Sequence, residues 1–209
     1  MKNILCYGDS NTWGAIPGDY HQRFEYEQRW TGILQALLGP DYRVIEEGLS
    51  GRTTVLEDFM EEGRNGKTWL LPCLRTHRPL DLVVLMLGTN DLKSRFCFGA
   101  FDIAKAAALL VNIILQSDSG RDGQAPQVLL VAPPPLGPLG SYAGEFIGGA
   151  AKSKEMGEHY RQRAVETGCL FLDAGSVITS SPADGVHFDA PEHQKLAGAI
   201  ADIIKSSIK

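Results

Sequence analysis

A chain of 209 residues with 44% apolar and 22% charged residues is long enough for one sizeable domain, spanning residues 1–209, with a full core and little left for a second. Its 20 basic and 25 acidic side chains give a net charge of −5 with no basic run, which argues against nucleic acid or an anionic membrane surface as a partner. No apolar stretch approaches bilayer length, the N-terminus passes almost directly into a strand, and none of Cys6, Cys73, Cys97 and Cys169 falls in a C-x-x-C pair. The expectation is a cytoplasmic protein with no signal peptide, structural disulfide, zinc or other cofactor.

In chain order, an apolar strand over residues 3–7 stops at Gly8-Asp9-Ser10, which places Ser10 just past its carboxyl end. A polar loop over 16–27 leads to a helix over 29–38, with Trp30, Ile33, Leu34 and Leu37 on one face, closed by Gly39-Pro40. A strand over 42–46 gives way to a second glycine-bearing loop, Gly48-Leu49-Ser50-Gly51-Arg52-Thr53-Thr54. Helical spacing over 66–77 ends near His77, whose position suits a cation at the negative pole of the helix. The continuous apolar run 82–87 fits a central parallel strand covered on both faces, and it breaks at Gly88-Thr89-Asn90-Asp91.

An apolar helix over 103–116, a polar loop over 117–126 and a strand over 128–132 follow. The run Pro133-Pro134-Pro135-Leu136-Gly137-Pro138 can continue neither ladder nor helix and forms a stiff rim. Residues 142–151 are Gly-rich and read as irregular, and 152–167 as a charged helix. A short strand over 169–172 precedes the loop holding Asp184-Gly185-Val186-His187-Phe188-Asp189, and a last helix over 191–206 opens on Pro191. Strands and helices alternate, which argues for five parallel strands with helices on both faces.

In such a sheet the loops after the strands open on one edge. A hydroxyl (Ser10), a carboxamide (Asn90), a carboxylate (Asp184) and an imidazole (His187) then meet there. These are the parts of acyl transfer by a serine nucleophile: His187 takes the hydroxyl proton, and Asp184, three residues earlier in a glycine-containing loop, orients the imidazole. Oxyanion donors would be the backbone amides of Ser10 and Gly51 and the side-chain amide of Asn90. Trp13 and Phe188 flank these residues as candidate walls of an acyl or aryl pocket. Blander roles compete. Ser10 could be a helix cap. Asp9 reads as structural, Asp91 as a loop brace, and Asp189 as a rival orienter of His187. His21, His159 and His193 read as surface or helix-end residues.

Taken together, Gly8-Asp9-Ser10 with Gly14, Gly51 ahead of Thr53-Thr54, Gly88-Thr89-Asn90-Asp91 and Asp184-x-x-His187 resemble the four blocks of the SGNH hydrolases, or GDSL-type esterases. The likeness runs from Ile4 to Phe188 and is nearest to the bacterial arylesterase and acyltransferase branch. Two positions depart from that branch's pattern: Glu46, where many members carry Asn, and Asn11 beside the serine. The resemblance implies a three-layer α/β/α flavodoxin-like fold and Ser10, Asp184 and His187 as a triad. It also implies hydrolysis of small esters, acyl transfer to alcohols or peroxide, and a homo-oligomer, often an octamer. Two alternatives stand beside it: a carbohydrate O-deacetylase of the same fold, and a nucleotide- or phosphate-binding module using residues 8–14 as an anion nest. Against the module, neither G-x-x-x-x-G-K-[ST] nor G-x-G-x-x-G is present.

Overall fold

The computed structural model describes residues 1–208, the side chain of Tyr20 apart. Apolar runs in the sequence become the strands of one sheet, and the apolar faces between them become its helical covers. In chain order the elements are β1 (Lys2–Gly8), the short turn α1 (Ser10–Trp13), a hairpin of β2 (Ala15–Ile16) and β3 (Asp19–Arg23), α2 (Trp30–Leu38), β4 (Tyr42–Gly48), α3 (Gly66–His77) and β5 (Leu82–Met86). Then come α4 (Ala100–Leu115), β6 (Gln127–Ala132), α5 (Gly149–Thr167), β7 (Leu170–Asp173) and α6 (Ala190–Ser207). The five long strands are parallel in the order β4-β1-β5-β6-β7, the doubly wound arrangement expected.

Side chains alternate across the strands, as the pleat requires. Leu5, Tyr7, Val83, Leu85, Val128 and Leu130 face α3, α4 and α5. Ile4, Cys6, Leu82, Val84, Leu129 and Val131 face α2 and α6. In α2 the buried stripe is Trp30, Leu34 and Leu38, spaced by four. Leu37, expected on that face, is 44% exposed, and Leu38, four residues after Leu34 and so on the same face, is buried in its place.

Two local features differ from expectation. The stretch 16–27 is not plain loop: β2 and β3 pair antiparallel around Pro17-Gly18, with Gly18 in the left-handed region at φ +79°. A Pro-Gly pair is a turn former, and it is the sequence signal for this hairpin. The Gly-rich stretch 142–151 begins with a 3₁₀ turn over Gly140–Gly144 and already enters α5 at Gly149.

The register levels the strand ends. Gly8 pairs with Gly48 on one side and with Met86 on the other, so three loops emerge side by side. Close approach of the α1 turn to β4 requires glycine at 48, where an added Cβ would lie 2.1 Å from the Trp13 nitrogen. At the opposite edge Lys2 Nζ donates to the Ile208 carbonyl at 3.1 Å, joining the start of β1 to the end of α6. Because the obstruction at Gly48 is backbone, Gly48→Ala is expected to cost about 1–3 kcal/mol. That lowers Tm by roughly 2–4 °C per kcal/mol, read by thermal unfolding against wild type.

Candidate active site

Ser10 opens α1, directly after Asp9. Asp9, not Ser10, caps this turn: its Oδ1 accepts from the Asn11 nitrogen at 2.9 Å. The Ser10 hydroxyl is thereby free for other work. Burial pushes the Asp9 carboxyl up to about 6, against the Asn11 hydrogen bond and the nearby His187 and Arg52, which pull it down.

His187 Nε2 lies 3.0 Å from Ser10 Oγ, although 177 residues separate them in the chain. Its Nδ1 lies 2.7 Å from Asp184 Oδ2. Asp184 is itself held by the backbone. Oδ1 accepts from the Val186 and His187 nitrogens at 2.9 Å each, and Oδ2 from the Gly18 nitrogen at 2.9 Å. Burial pushes this carboxyl up, but the His187 ring and the three backbone donors outweigh it and hold it well below the ordinary carboxylate range. Asp189, the rival orienter, instead accepts from Ser181 Oγ at 3.0 Å at the start of α6.

The other two blocks are knitted to the first. Asn90 Nδ2 donates to the Arg52 carbonyl at 3.1 Å. Asp91 accepts from the Thr54 nitrogen at 3.0 Å and from the Thr54 hydroxyl, so it braces one strand-end loop against the next. Burial pushes the Asp91 carboxyl up to about 6, with the two Thr54 hydrogen bonds opposing. Gly51 takes φ +76°, a left-handed conformation that glycine adopts without strain.

A cavity of about 170 Å³ opens over these groups, lined by Ser10, Gly51, Asn90 and His187. Its remaining walls come from Tyr142 and Phe146 on the apolar side and Glu61, Lys93 and Glu145 on the polar side. Tyr142 stands edge-on to His187, with ring centroids 6.1 Å apart. Lys93 is nearly buried, with Nζ 3.5 Å from Glu145 and 4.0 Å from Glu61.

Residues 6–195 match the GDSL-like Lipase/Acylhydrolase family. The chain belongs to that family. Among solved structures, this GDSL-family chain is similar to the aryl esterase of M. smegmatis, at 43% identity over 99% of each chain and a TM-score of 0.94. It is equally similar to Est24, a carbohydrate acetylesterase from Sinorhizobium meliloti, with the same identity, coverage and TM-score. A lipase/acylhydrolase from Enterococcus faecalis shares the fold, with a TM-score of 0.70 at 19% identity. No curated protein matches it.

Three sequence expectations for this GDSL-family chain are corrected by the structure. Phe188 does not line the cavity. It is 1% exposed and packs edge-on to His193 in the α2–α6 layer, because the residue after His187 points away from the site. Trp13 does not line it either, and lies instead beneath the Arg23 guanidinium, 5.2 Å from the ring. His193 is not at the surface: it is fully buried, and its Nδ1 accepts from the Trp30 nitrogen at 3.2 Å. Burial pushes its pKa down to about 4. The wall residues Tyr142, Phe146, Lys93 and Glu145 carry no sequence signal of their role, since they sit in loops without a chemical motif. The role of Arg52 is equally unmarked in the sequence. It is buried, and donates to the carbonyls of Gly8 and Glu47.

The depressed Asp184 carboxyl carries a sign. Its folded value lies below the unfolded value near 3.9, so it adds stability that is fully present above that value and is lost as pH falls through the folded one. The stability gap between wild type and Asp184→Asn, measured by urea denaturation, is therefore expected to be widest near neutrality and to narrow progressively below about pH 4. A gap independent of pH would contradict the reading.

Proposed function

We propose that the chain is a cofactor-independent serine esterase acting on small carboxylic esters, short-acyl or aryl, through an acyl-enzyme. The observation that carries this reading is the 3.0 Å separation of His187 Nε2 and Ser10 Oγ at the floor of an open cavity. In the first half-reaction Ser10 Oγ attacks the ester carbonyl while its proton passes to Nε2. Asp184 keeps the Nδ1 proton in place and stabilises the imidazolium. The carbonyl oxygen, now negative, takes hydrogen bonds from the Ser10 and Gly51 amides and from the Asn90 N–H not used on Arg52. Nε2 then returns its proton to the departing alkoxide, leaving an ester on Ser10. Water, an alcohol or peroxide next gives a proton to Nε2 and takes the acyl group, and Nε2 passes that proton to Ser10 Oγ as the serine leaves.

A second reading has its own support. Glu61, Lys93 and Glu145 make one wall of the cavity polar, which suits the hydroxyl-rich alcohol part of an acetylated carbohydrate. The likeness to a carbohydrate acetylesterase points the same way. The cavity volume, below the ~300 Å³ at which drug-sized pockets begin, favours a short acyl group under either reading. Assembly into a homo-oligomer remains part of the proposal by resemblance.

Replacing Ser10→Ala or His187→Ala is expected to lower kcat on p-nitrophenyl acetate by a factor on the order of 10⁴ or more. Asn90→Ala is expected to lower it by about 10²–10³. A fluorophosphonate probe should label Ser10. Full activity in Ser10→Ala would overturn the Ser10 nucleophile, whereas silence to the probe together with tight nucleotide binding would replace the enzyme by the phosphate-binding module. With wild type, kcat/KM should fall roughly tenfold or more from acetyl to hexanoyl esters, because extra methylenes do not fit. Comparing acetylated sugars with p-nitrophenyl acetate then separates the two esterase readings.

A further inference from the structure

Behind the 48–54 loop lies a second cavity of about 480 Å³ that shares no lining residue with the first. Three metal-ligating side chains converge in it. Cys73 and His77 stand four residues apart on α3, hence on one face of the helix. Glu47 reaches them from β4. His77 Nε2 is 2.8 Å from Glu47 Oε1. The sulfur, the imidazole nitrogen and a carboxylate oxygen all lie within 4.8 Å of one another.

We propose that Glu47, Cys73 and His77 form a binding site for a borderline-soft divalent cation, zinc foremost. A tetrahedral zinc with bonds of 2.0–2.3 Å holds its ligand atoms about 3.3–3.8 Å apart. The observed atoms, within 4.8 Å of one another and with the His77–Glu47 pair at 2.8 Å, bracket that spacing. One thiolate, one imidazole and one carboxylate are a ligand set that zinc takes and that magnesium and calcium do not favour. The three protein ligands leave a fourth position to water from the cavity, whose wall also carries Glu62.

Binding conserves oxidation state. The Cys73 S–H proton leaves to buffer as the sulfur–zinc bond forms, and the thiolate and the Glu47 carboxylate then balance the two positive charges. Arg52 lies on the same cavity wall, and its charge opposes the ion. Its guanidinium, however, is already engaged by the Gly8 and Glu47 carbonyls and stacks 4.1 Å above the Tyr7 ring. Sequence reading alone passes over this cluster. His77 is accounted for as a helix-end cation, and its two partners meet only when β4 and α3 pack side by side.

The site is independent of the esterase reading, and its test does not use activity as the signal. Cobalt added to the metal-free protein should give a thiolate-to-metal charge-transfer band. Equilibrium dialysis should give one zinc per chain. Zinc should also raise Tm, as any ligand selective for the folded state does. Cys73→Ser should abolish the cobalt band, and His77→Gln should weaken zinc on the order of a hundredfold or more, beyond the loss typical of a second-shell partner. Both variants should keep the wild-type far-UV circular dichroism spectrum and a cooperative thermal transition, which shows that they fold. If either fails to fold, Glu47→Gln replaces it in the same dialysis. Absence of the band and of stoichiometric zinc in wild type would overturn the proposal, as would zinc binding that persists unchanged in the variants.

Discussion

The Asp184 carboxylate gathers four N–H groups: the His187 ring, the His187 and Val186 backbone, and Gly18 in the turn of the β2–β3 hairpin. Two of these close a local turn that carries His187 forward, and the hairpin bond ties that turn to the chain just after Ser10. The loop is held from below by the proline rim, where the Gly137 nitrogen donates to the Gly185 carbonyl at 2.8 Å. Gly185 sits at φ +73°, and an added Cβ would lie 2.6 Å from the Pro138 oxygen. The imidazole is thus aimed at Ser10 by contacts made before any substrate arrives. Under the proposed function, that ordering is what would turn a weak hydroxyl into a poised one.

The same economy holds for the donors. Four links cross between the strand-end loops: Leu49 N to Gly8 O, the Arg52 guanidinium to Gly8 O, Asn90 Nδ2 to Arg52 O, and Thr54 N to the Asp91 carboxylate. These links supply partners to polar groups buried beneath the site. Rigid donors are worth more to a developing oxyanion than mobile ones, since they need no reorganisation at the moment of reaction. Asp9 and Asp91 are the cost of this arrangement: two carboxyls buried deeply enough to be pushed up to about 6.

What was legible in the sequence follows from where information is local. Strand runs such as 82–87 are apolar on both faces because both faces are covered, so composition alone reveals them. Ser10, Asn90, Asp184 and His187 could be placed at one edge because parallel strands dictate it, and the structure puts them there. The cavity walls were not legible. Tyr142, Phe146 and Lys93 belong to loops whose positions depend on tertiary packing. Phe188 and Trp13 looked like neighbours by number, yet the chain turns them away from the opening. The burial of His193 is hidden for a related reason: a histidine packed between Phe24 and Phe188 has no local sequence mark.

The bond between Lys2 and the Ile208 carbonyl places the two ends of the domain side by side at the edge remote from the cavity. A peptide fused to either end therefore leaves the mouth of the cavity unobstructed. The same closeness means that a few residues could bridge the ends and the chain be reopened in an exposed loop, yielding a circular permutant in which Ser10 and His187 trade their order along the polypeptide while keeping their places in space.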